Sequence, residues 1–399
     1  MKVVPIDNFT ALHPPNTGFI PCSSTKEIGL IFTDEWRPES ISGVVLTCLG
    51  NMPALCHRNA ATEVALDFFR LAGIEPPTCL DTYGSYDEAT LLARRFVAEG
   101  LRLATIYPQI DSICAFNACL VDPALYGWLN DKTNLEALCP AVAVPNRQIL
   151  SREAALRLEA SELTYPLYAK GAFAGANGGG KSVRFCTNAK EFRDVLAWFA
   201  NIPAYKALIL EQEISFTTSW CLNYAVLDKT VRWLGAAEQL FDMPGVQSGN
   251  LIDPSHQPPI HAVEIGRDIC AAAQARGYRG LAGLDMCIDA NGRLVFFDLN
   301  FRLCSSTCFI LVNGRLEDRT GVSQTCSFEW PGRLSNALAG LEELARARSF
   351  IPLRLYDGTD CRVEEAPSVV TGLVRASDRD AAQALVTEIK SRLGAKSKV

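Results

Sequence analysis

The sequence lacks the features that mark membrane, secreted and nucleic-acid-binding proteins. Its 399 residues contain no apolar run as long as a membrane-spanning helix, and the amino terminus has no apolar signal-peptide core. Lysine and arginine form no runs, and the formal net charge of −6 argues against nucleic-acid binding. No internal repeat or low-complexity tract interrupts the chain. We therefore expect a large soluble protein of two or three domains with no nucleic-acid or membrane partner.

The sequence also lacks recognisable zinc and disulfide patterns. It has no Cys-x-x-Cys pair, and its four histidines (13, 57, 256 and 261) form no set, so none receives a catalytic role. The 15 cysteines are scattered, many of them in apolar runs where cysteine acts as a small hydrophobic residue. Free thiols at this density favour a reducing compartment, which predicts a cytoplasmic protein.

The most informative segment is the apolar run at residues 294–302, which contains Asp298 and Asn300. On a strand, residues two apart share a face, so an acid and an amide project together, with Arg302 continuing the alternation. Burying a carboxylate is costly unless a cation or a donor meets it. This pattern predicts a polar site on an otherwise buried strand.

The preceding segment predicts a partner strand. Asn291-Gly292 is a strong signal for a two-residue hairpin turn, and such a turn places Asp285 directly opposite Asp298. Two facing carboxylates repel each other, and a divalent cation would turn that repulsion into binding. Two acids and the Asn300 amide suit Mg²⁺, with Mn²⁺ as a substitute. The alternative is an exposed hairpin with scattered acids.

A second feature lies about 115 residues upstream. A short apolar run ends in Lys170 and is followed by the glycine-rich stretch 175–182 and a further alternating segment. Consecutive glycines allow backbone N–H groups to approach an anion, and lysines add positive charge. The alternative is a flexible hairpin tip with two solvated lysines.

Residues 175–182 also match the P-loop pattern G-x-x-x-x-G-K-[ST], which requires a helix directly after the loop. Residues 183–186 alternate with a period of two and predict a strand instead, with a helix starting after Thr187 or Asn188. The pattern favours a lid-like hairpin, and a P-loop NTPase or kinase is the alternative.

Together these motifs resemble the ATP-grasp carboxylate–amine ligases over about residues 131–312. The resemblance implies phosphate contacts from the lysines and the glycine loop, adenine contacts from the segment 208–214, and metal ligation by the acidic hairpin. Arg302 and Lys170 would be catalytic. The implied nucleotide-binding residues are Lys132, Lys170, Gly178, Gly179, Gly180, Lys181, Glu211, Gln212 and Ile214, and the implied metal ligands are Asp285, Asp298 and Asn300.

Three positions depart from the family pattern. Asp298 stands where the family usually has Glu, and its shorter side chain makes bridging of two ions less secure. Gly171 stands where a proline often follows the second lysine. No acid for the ribose hydroxyls occurs near Thr218 or Ser219.

The resemblance implies a mixed α/β and α+β fold in three parts. Residues 1–130 would form an open α/β pre-ATP-grasp domain, with strands at 43–50 and 101–107 and helices at 60–72 and 88–99. Residues 131–312 would form the ATP-grasp domain, divided into subdomains 131–214 and 215–312. Residues 313–399 would form an α+β lobe. We expect the polar segment 235–250 to be a loop lining the acceptor pocket.

The implied activity is ATP-dependent and ADP-forming. A carboxylate and an amine do not condense at neutral pH, but an acyl phosphate is a good electrophile. The expected substrates are a small carboxylic acid and an amine, as in an amino acid or a small peptide. Loading of an amino acid onto a carrier-protein thiol, as occurs in natural-product pathways, and an inactive nucleotide-binding regulator are the alternatives. A carrier protein and a second copy of the chain stay open as partners.

Overall fold

The computed structural model describes residues 8–21, 36–106, 117–173, 180, 182–316, 320–359, 361 and 366–393. The amino-terminal part contains a four-stranded parallel sheet of order β3-β2-β1-β4. Its strands are β1 (Thr17–Ile20), β2 (Ala54–His57), β3 (Leu80–Tyr83) and β4 (Arg102–Thr105), and its helices are Trp36–Ser42, Glu63–Leu71 and Tyr86–Ala98. This arrangement confirms the predicted open α/β fold of this region.

One predicted strand in this region is wrong. Residues 43–50 form a short 3-10 helix, Gly43–Val45, followed by turns, and the strand lies further on at β2. Val45, Leu46, Cys48 and Leu49 are all buried, so this short apolar run has no polar face that would reveal its period. A continuous apolar run cannot be assigned to strand or helix by periodicity alone.

A second sheet carries the glycine-rich hairpin. It is antiparallel, in the order β5-β8-β6-β7, and comprises β5 (Arg147–Ser151), β6 (Leu167–Ala172), β7 (Val183–Cys186) and β8 (Ala207–Gln212). The helix Ala189–Ala200 follows, and the Asn188 side chain accepts from the N–H groups of Lys190 and Glu191. The strand–loop–strand prediction is therefore confirmed, and the P-loop alternative is wrong because no helix follows the glycines directly.

The third sheet is the largest and has the order β13-β12-β9-β10-β11-β14-β16-β15. Its strands are β9 (Phe216–Val226), β10 (Val231–Met243), β11 (Val246–Ile252), β12 (Gly280–Asp289), β13 (Leu294–Asn300), β14 (Val322–Trp330), β15 (Phe350–Tyr356) and β16 (Ser368–Ala376). Residues 235–250 lie in β10, in β11 and in the two-residue turn between them, so the expected long loop is wrong. The carboxy-terminal strands extend this sheet and form no sheet of their own within the described residues.

Helices cover both faces of the third sheet. Ile260–Ala275 packs on the face that presents Leu222, Leu284 and Phe296, and Ser305–Gly314 packs on the other. The other α-helices among the described residues are Pro123–Asn130, Arg152–Ala155, Leu334–Ala339, Glu342–Arg346 and Arg379–Arg392. In the described part of the chain no helix combines the length and apolar character needed to cross a membrane.

Candidate active site

The acidic hairpin has the predicted pairing but not the predicted turn. Asp285 is directly opposite Asp298 in the register of β12 and β13. Near the turn, however, Asp289 N–H donates to Arg293 O, which leaves a three-residue loop, 290–292, in place of a two-residue one. Gly292 adopts φ +80°, the left-handed conformation typical of such loops.

A β-bulge at Phe297 reconciles the longer loop with the predicted pairing. Met286 pairs with Phe296 and Asp285 with Asp298, so Phe297 has no partner of its own. The bulge also shifts the alternation of side chains between the two faces of β13. Phe296 and Leu299 both face the hydrophobic core although they are three positions apart. Without the extra residue, Asp298 would share the core-facing side of Phe296. The bulge therefore places this acid on the polar face.

The side chains on that face form a connected polar row. Asn300 Nδ2 donates to Asp285 Oδ2 at 3.3 Å, and Arg302 Nη2 donates to Asn300 Oδ1 at 2.7 Å. The Asn300 amide is thus oriented with its oxygen toward the arginine. Asn130 fixes the end of the strand, since its Oδ1 accepts from Phe301 N–H at 3.0 Å. The structure brings the predicted acid, amide and guanidinium together.

Lys132 reaches the same site from a distant part of the chain. Its Nζ lies 2.5 Å from Asp298 Oδ2. Lys132 begins the 3-10 helix Lys132–Ala137, and the Asp131 carboxylate caps that helix by accepting from Thr133 N–H at 2.9 Å. The family motif at residues 130–132 is therefore next to the hairpin acid.

Lys170 lies beside the same hairpin but bonds to a different acid. Its Nζ is 2.5 Å from Glu211 Oε2 and donates to the carbonyl of Phe297 at 3.2 Å. The side chains of Lys170 and Glu211 are only 8% and 5% exposed. This buried pair links the second sheet to the bulge of the third.

Arg147 completes this cluster and was missed by the sequence analysis. Its side chain is 2% exposed, with Nε 3.7 Å from Glu211 Oε1 and Nη2 2.8 Å from the Lys132 carbonyl. Nε and Nη1 have no hydrogen-bond partner among the described residues. Its placement depends on the pairing of β5 with β8, and no local pattern signals it.

The two facing acids differ in their ionisation. Burial, with the negative charge of Asp298 second, raises the pKa of Asp285 to about 7. Burial acts in the same direction on Asp298, but the positive charges of Lys132, Lys170 and Arg302 together lower the pKa of its carboxyl below the usual value. The pair therefore holds its negative charge mainly on Asp298.

The glycine loop is described only at its base. Gly180 has φ +69°, and a Cβ there would lie 2.7 Å from the carbonyl oxygen of Gly245 in the β10–β11 turn. Glycine is therefore required at position 180, where the loop base meets that turn. Gly178, Gly179 and Lys181 lie outside the described residues.

The predicted adenine segment adjoins the buried Lys170–Glu211 pair. Gln212 N–H donates to the carbonyl of Asn146 at 3.2 Å and Glu213 N–H to that of Pro166 at 3.3 Å, so both N–H groups are used within the fold. Ile214 follows in the connection between β8 and β9. The predicted adenine contacts of Gln212 and Ile214 stay predictions.

The donor set suits a hard, oxygen-preferring cation. Two carboxylates on a single face can supply oxygens to Mg²⁺, which retains several waters or substrate oxygens in such sites. The Asn300 amide would supply a third oxygen only after rotating, because its oxygen now accepts from Arg302 and its nitrogen donates to Asp285. No group of three or more His, Cys, Asp or Glu side chains suited to a metal occurs in the described ranges. Asp285, Asp298 and Asn300 could therefore hold the ion.

The fold and the site define an ATP-grasp protein. Two family models match the chain, the ATP-grasp domain of L-aspartate–L-methionine ligase over residues 145–300 and the amino-terminal domain of the same ligase over residues 8–127. The chain belongs to the ATP-grasp superfamily, and the models place it with the carboxylate–amine ligases.

Solved structures share the fold, and one curated relative matches about a third of the chain. N5-carboxyaminoimidazole synthetase from Staphylococcus aureus, complexed with ADP, has a TM-score of 0.60 at 12% identity and covers 97% of this chain and 100% of its own. L-amino acid ligase from Bacillus licheniformis has a TM-score of 0.57 at 13% identity, covering 96% and 99%. The [butirosin acyl-carrier protein]–L-glutamate ligase of Niallia circulans is 28% identical over 132 residues, 32% of this chain but only 31% of that relative.

Proposed function

We propose that this chain is an ADP-forming ligase that activates a carboxylate with ATP and joins it to an amine. The observation that carries the proposal is the convergence of Lys132, from before the second sheet, on Asp298 of the third, 166 residues away. With Lys170 and Arg302 nearby, the site concentrates positive charge around two acids. This arrangement suits nucleotide phosphates accompanied by a divalent cation.

In the proposed reaction, a carboxylate oxygen attacks the γ-phosphorus of ATP and ADP leaves. The amine nitrogen then attacks the acyl carbon, phosphate leaves, and the nitrogen loses its proton to solvent. Lys132 and Lys170 would offset phosphate charge, and Arg302 would stabilise the developing oxyanion. Mg²⁺ held by Asp285, Asp298 and Asn300 would neutralise phosphate charge. No side-chain nucleophile is needed.

A small cavity beside Arg302, between the amino-terminal parallel sheet and β12, is the proposed acceptor site. Its volume is about 40 Å³, room for a few waters, so an amino acid would enter only if the walls move apart. Its lining is mixed, with apolar walls such as Phe19, Leu120 and Leu303, and with polar groups from His13, Arg279 and Arg302. Arg302 thus touches Asn300 on one side and lines the cavity on the other. We place the substrate carboxylate on Arg302.

The experiment is a panel of acids and amines incubated with the full chain, ATP and Mg²⁺. The panel includes aspartate, methionine and glutamate, because the related ligases are named for these amino acids. We expect ADP and phosphate release that requires both substrates, and a product mass equal to their sum less one water. Release of AMP and pyrophosphate would contradict the proposal, and so would nucleotide binding without turnover across the whole panel.

Loading of a carrier thiol is the second candidate, supported by the Niallia circulans relative, which is named for an acyl-carrier protein. A second arm therefore supplies a carrier protein bearing a phosphopantetheine thiol in place of the amine. Mass gain on the carrier, with no product from any free amine, would favour this candidate.

A further inference from the structure

We infer that Lys132 acts as a displaceable counter-ion of Asp298, so that a divalent metal binds this site tightly only together with nucleotide. The inference deepens the proposed function and rests on it for the assignment of nucleotide and metal to this site. It assigns Lys132 a second role. The same ammonium would neutralise Asp298 in the nucleotide-free site and the phosphates in the nucleotide-bound site.

The contact that supports this inference is direct. Lys132 Nζ is 2.5 Å from Asp298 Oδ2, and their side chains are only 11% and 23% exposed, so water screens the pair weakly. The backbone of Lys132 is fixed on both sides, since Asp131 caps its helix and Arg147 Nη2 donates to its carbonyl. The flexible four-carbon side chain is therefore the part that can move.

A metal and this ammonium compete for the same carboxylate. Mg²⁺ binds oxygen at about 2.0–2.1 Å, so an ion on Asp298 would lie within a few ångströms of Nζ, where the two cations repel. Nucleotide phosphates remove the conflict because they offer the ammonium stronger negative charge. By linkage, the nucleotide then raises metal affinity by the same factor by which the metal raises nucleotide affinity.

The other site lysine is not placed to act in this way. Lys170 Nζ bonds to Glu211 and to the Phe297 carbonyl, and neither group belongs to the predicted metal ligands. The two lysines therefore differ in role although both were predicted to contact phosphate. Lys132 alone, among the described lysines, has a hydrogen bond to a predicted metal ligand.

The test measures binding of Mn²⁺ by electron paramagnetic resonance, with and without the non-hydrolysable analogue AMP-PNP. The unmodified full chain should bind Mn²⁺ weakly alone and at least about tenfold more tightly with the analogue. Lys132→Met should bind Mn²⁺ alone at least about tenfold more tightly than the unmodified chain and lose most of the enhancement, since a tenfold change corresponds to a modest electrostatic coupling.

Matched variants make the result specific. Lys229→Met removes an exposed lysine from the β9–β10 turn and should behave like the unmodified chain. Asp298→Asn should abolish tight Mn²⁺ binding. Lys132→Gln, which keeps a donor but no charge, serves if Lys132→Met fails to fold, as judged by circular dichroism, and should show the same gain. The inference is wrong if neither Lys132 variant gains affinity, if Lys229→Met gains equally, or if Asp298→Asn still binds tightly.

This binding test does not depend on turnover. If the Mn²⁺ pattern holds but no acid–amine pair releases phosphate, the proposed ligase function fails and the counter-ion role stands. If turnover is found but Mn²⁺ binds equally with and without AMP-PNP, the ligase function stands and the counter-ion role fails.

Discussion

Lys170 donates to the main-chain carbonyl of Phe297, the residue that forms the bulge in β13. The same ammonium pairs with Glu211 at the end of β8. One lysine therefore joins the glycine hairpin, strand β8 and the acidic hairpin. The bulge has two effects, since it turns Asp298 toward the site and presents a carbonyl to this lysine.

Removing both members of the Lys170–Glu211 pair should destabilise the fold by less than the sum of the two single removals. Both side chains are nearly inaccessible, so removing Glu211 leaves the buried Lys170 and Arg147 without this acid, and removing Lys170 leaves Glu211 with Arg147 as its neighbouring cation. We expect Lys170→Met and Glu211→Gln each to cost about 2–4 kcal/mol, and the double variant to cost at least about 1 kcal/mol less than the sum. Urea unfolding of all four chains measures this. Strict additivity would show that the two side chains do not interact.

Asp298 should be required for turnover, and the length of the side chain at this position should matter less than its negative charge. Asp298→Asn removes the charge that would face both cation and ammonium, and we expect phosphate release to fall about 10²–10³-fold. Asp298→Glu keeps the charge, is the residue usual in the family, and should retain more activity than Asp298→Asn. Steady-state phosphate release measures both, with circular dichroism as the folding control. Equal losses in the two variants would contradict a charge-based role.

His13 should make stability sensitive to acid. Burial, partly offset by the Phe9 carbonyl at 3.1 Å, lowers the pKa of His13 to about 4. The unfolded chain, with a histidine pKa of about 6.5, binds more protons between these values, so this contribution to stability falls as the pH drops from about 6.5 to about 4. At about pH 5 the loss should be about 2 kcal/mol.

The matched variant for this prediction is His13→Asn, which keeps a donor for Phe9 but does not titrate. Other groups also titrate in this range, so the informative quantity is the difference in unfolding free energy between the two chains, measured in urea at several pH values. We expect the original chain to lose stability relative to the variant on acidification. A difference independent of pH would show that His13 is protonated alike in both states.

Gly283 should tolerate no side chain because sulfur occupies the space. A Cβ there would lie 2.4 Å from Cys304 Sγ and 3.1 Å from Cys221 Sγ. We expect Gly283→Ala to cost about 1–3 kcal/mol through overpacking, and Cys304→Ala in the same chain to recover part of that loss. Thermal and urea unfolding of the original chain, the two single variants and the double variant measure these changes in stability. Full stability of Gly283→Ala alone would show that the sulfurs move aside freely.

Local patterns predicted the acidic hairpin well because its signals are local. The alternation of apolar and polar side chains predicted β13, and the Asn-Gly pair predicted a turn. Together they placed Asp285 opposite Asp298, as the structure confirms. Two features of the hairpin compensate each other, since the turn has one more residue than predicted and the bulge at Phe297 restores the register. No pattern in the sequence predicts the bulge, because its position depends on which side chains pack into the core.

The sequence by itself determined the elements that carry the candidate site. These are the strand bearing Lys170, the glycine-rich stretch, the strand that excludes a P-loop, and the donor types on the acidic hairpin. Such features follow from side-chain alternation and from turn residues, which act over a few positions.

Only the tertiary structure decided which charges meet. The bond of Lys132 to Asp298, the burial of Arg147 beside Glu211, and the strands formed by residues 235–250 all depend on pairing between distant segments. The strength of an electrostatic interaction depends on the distance between the charges and on their burial in the folded protein. Neither quantity can be predicted from the local sequence.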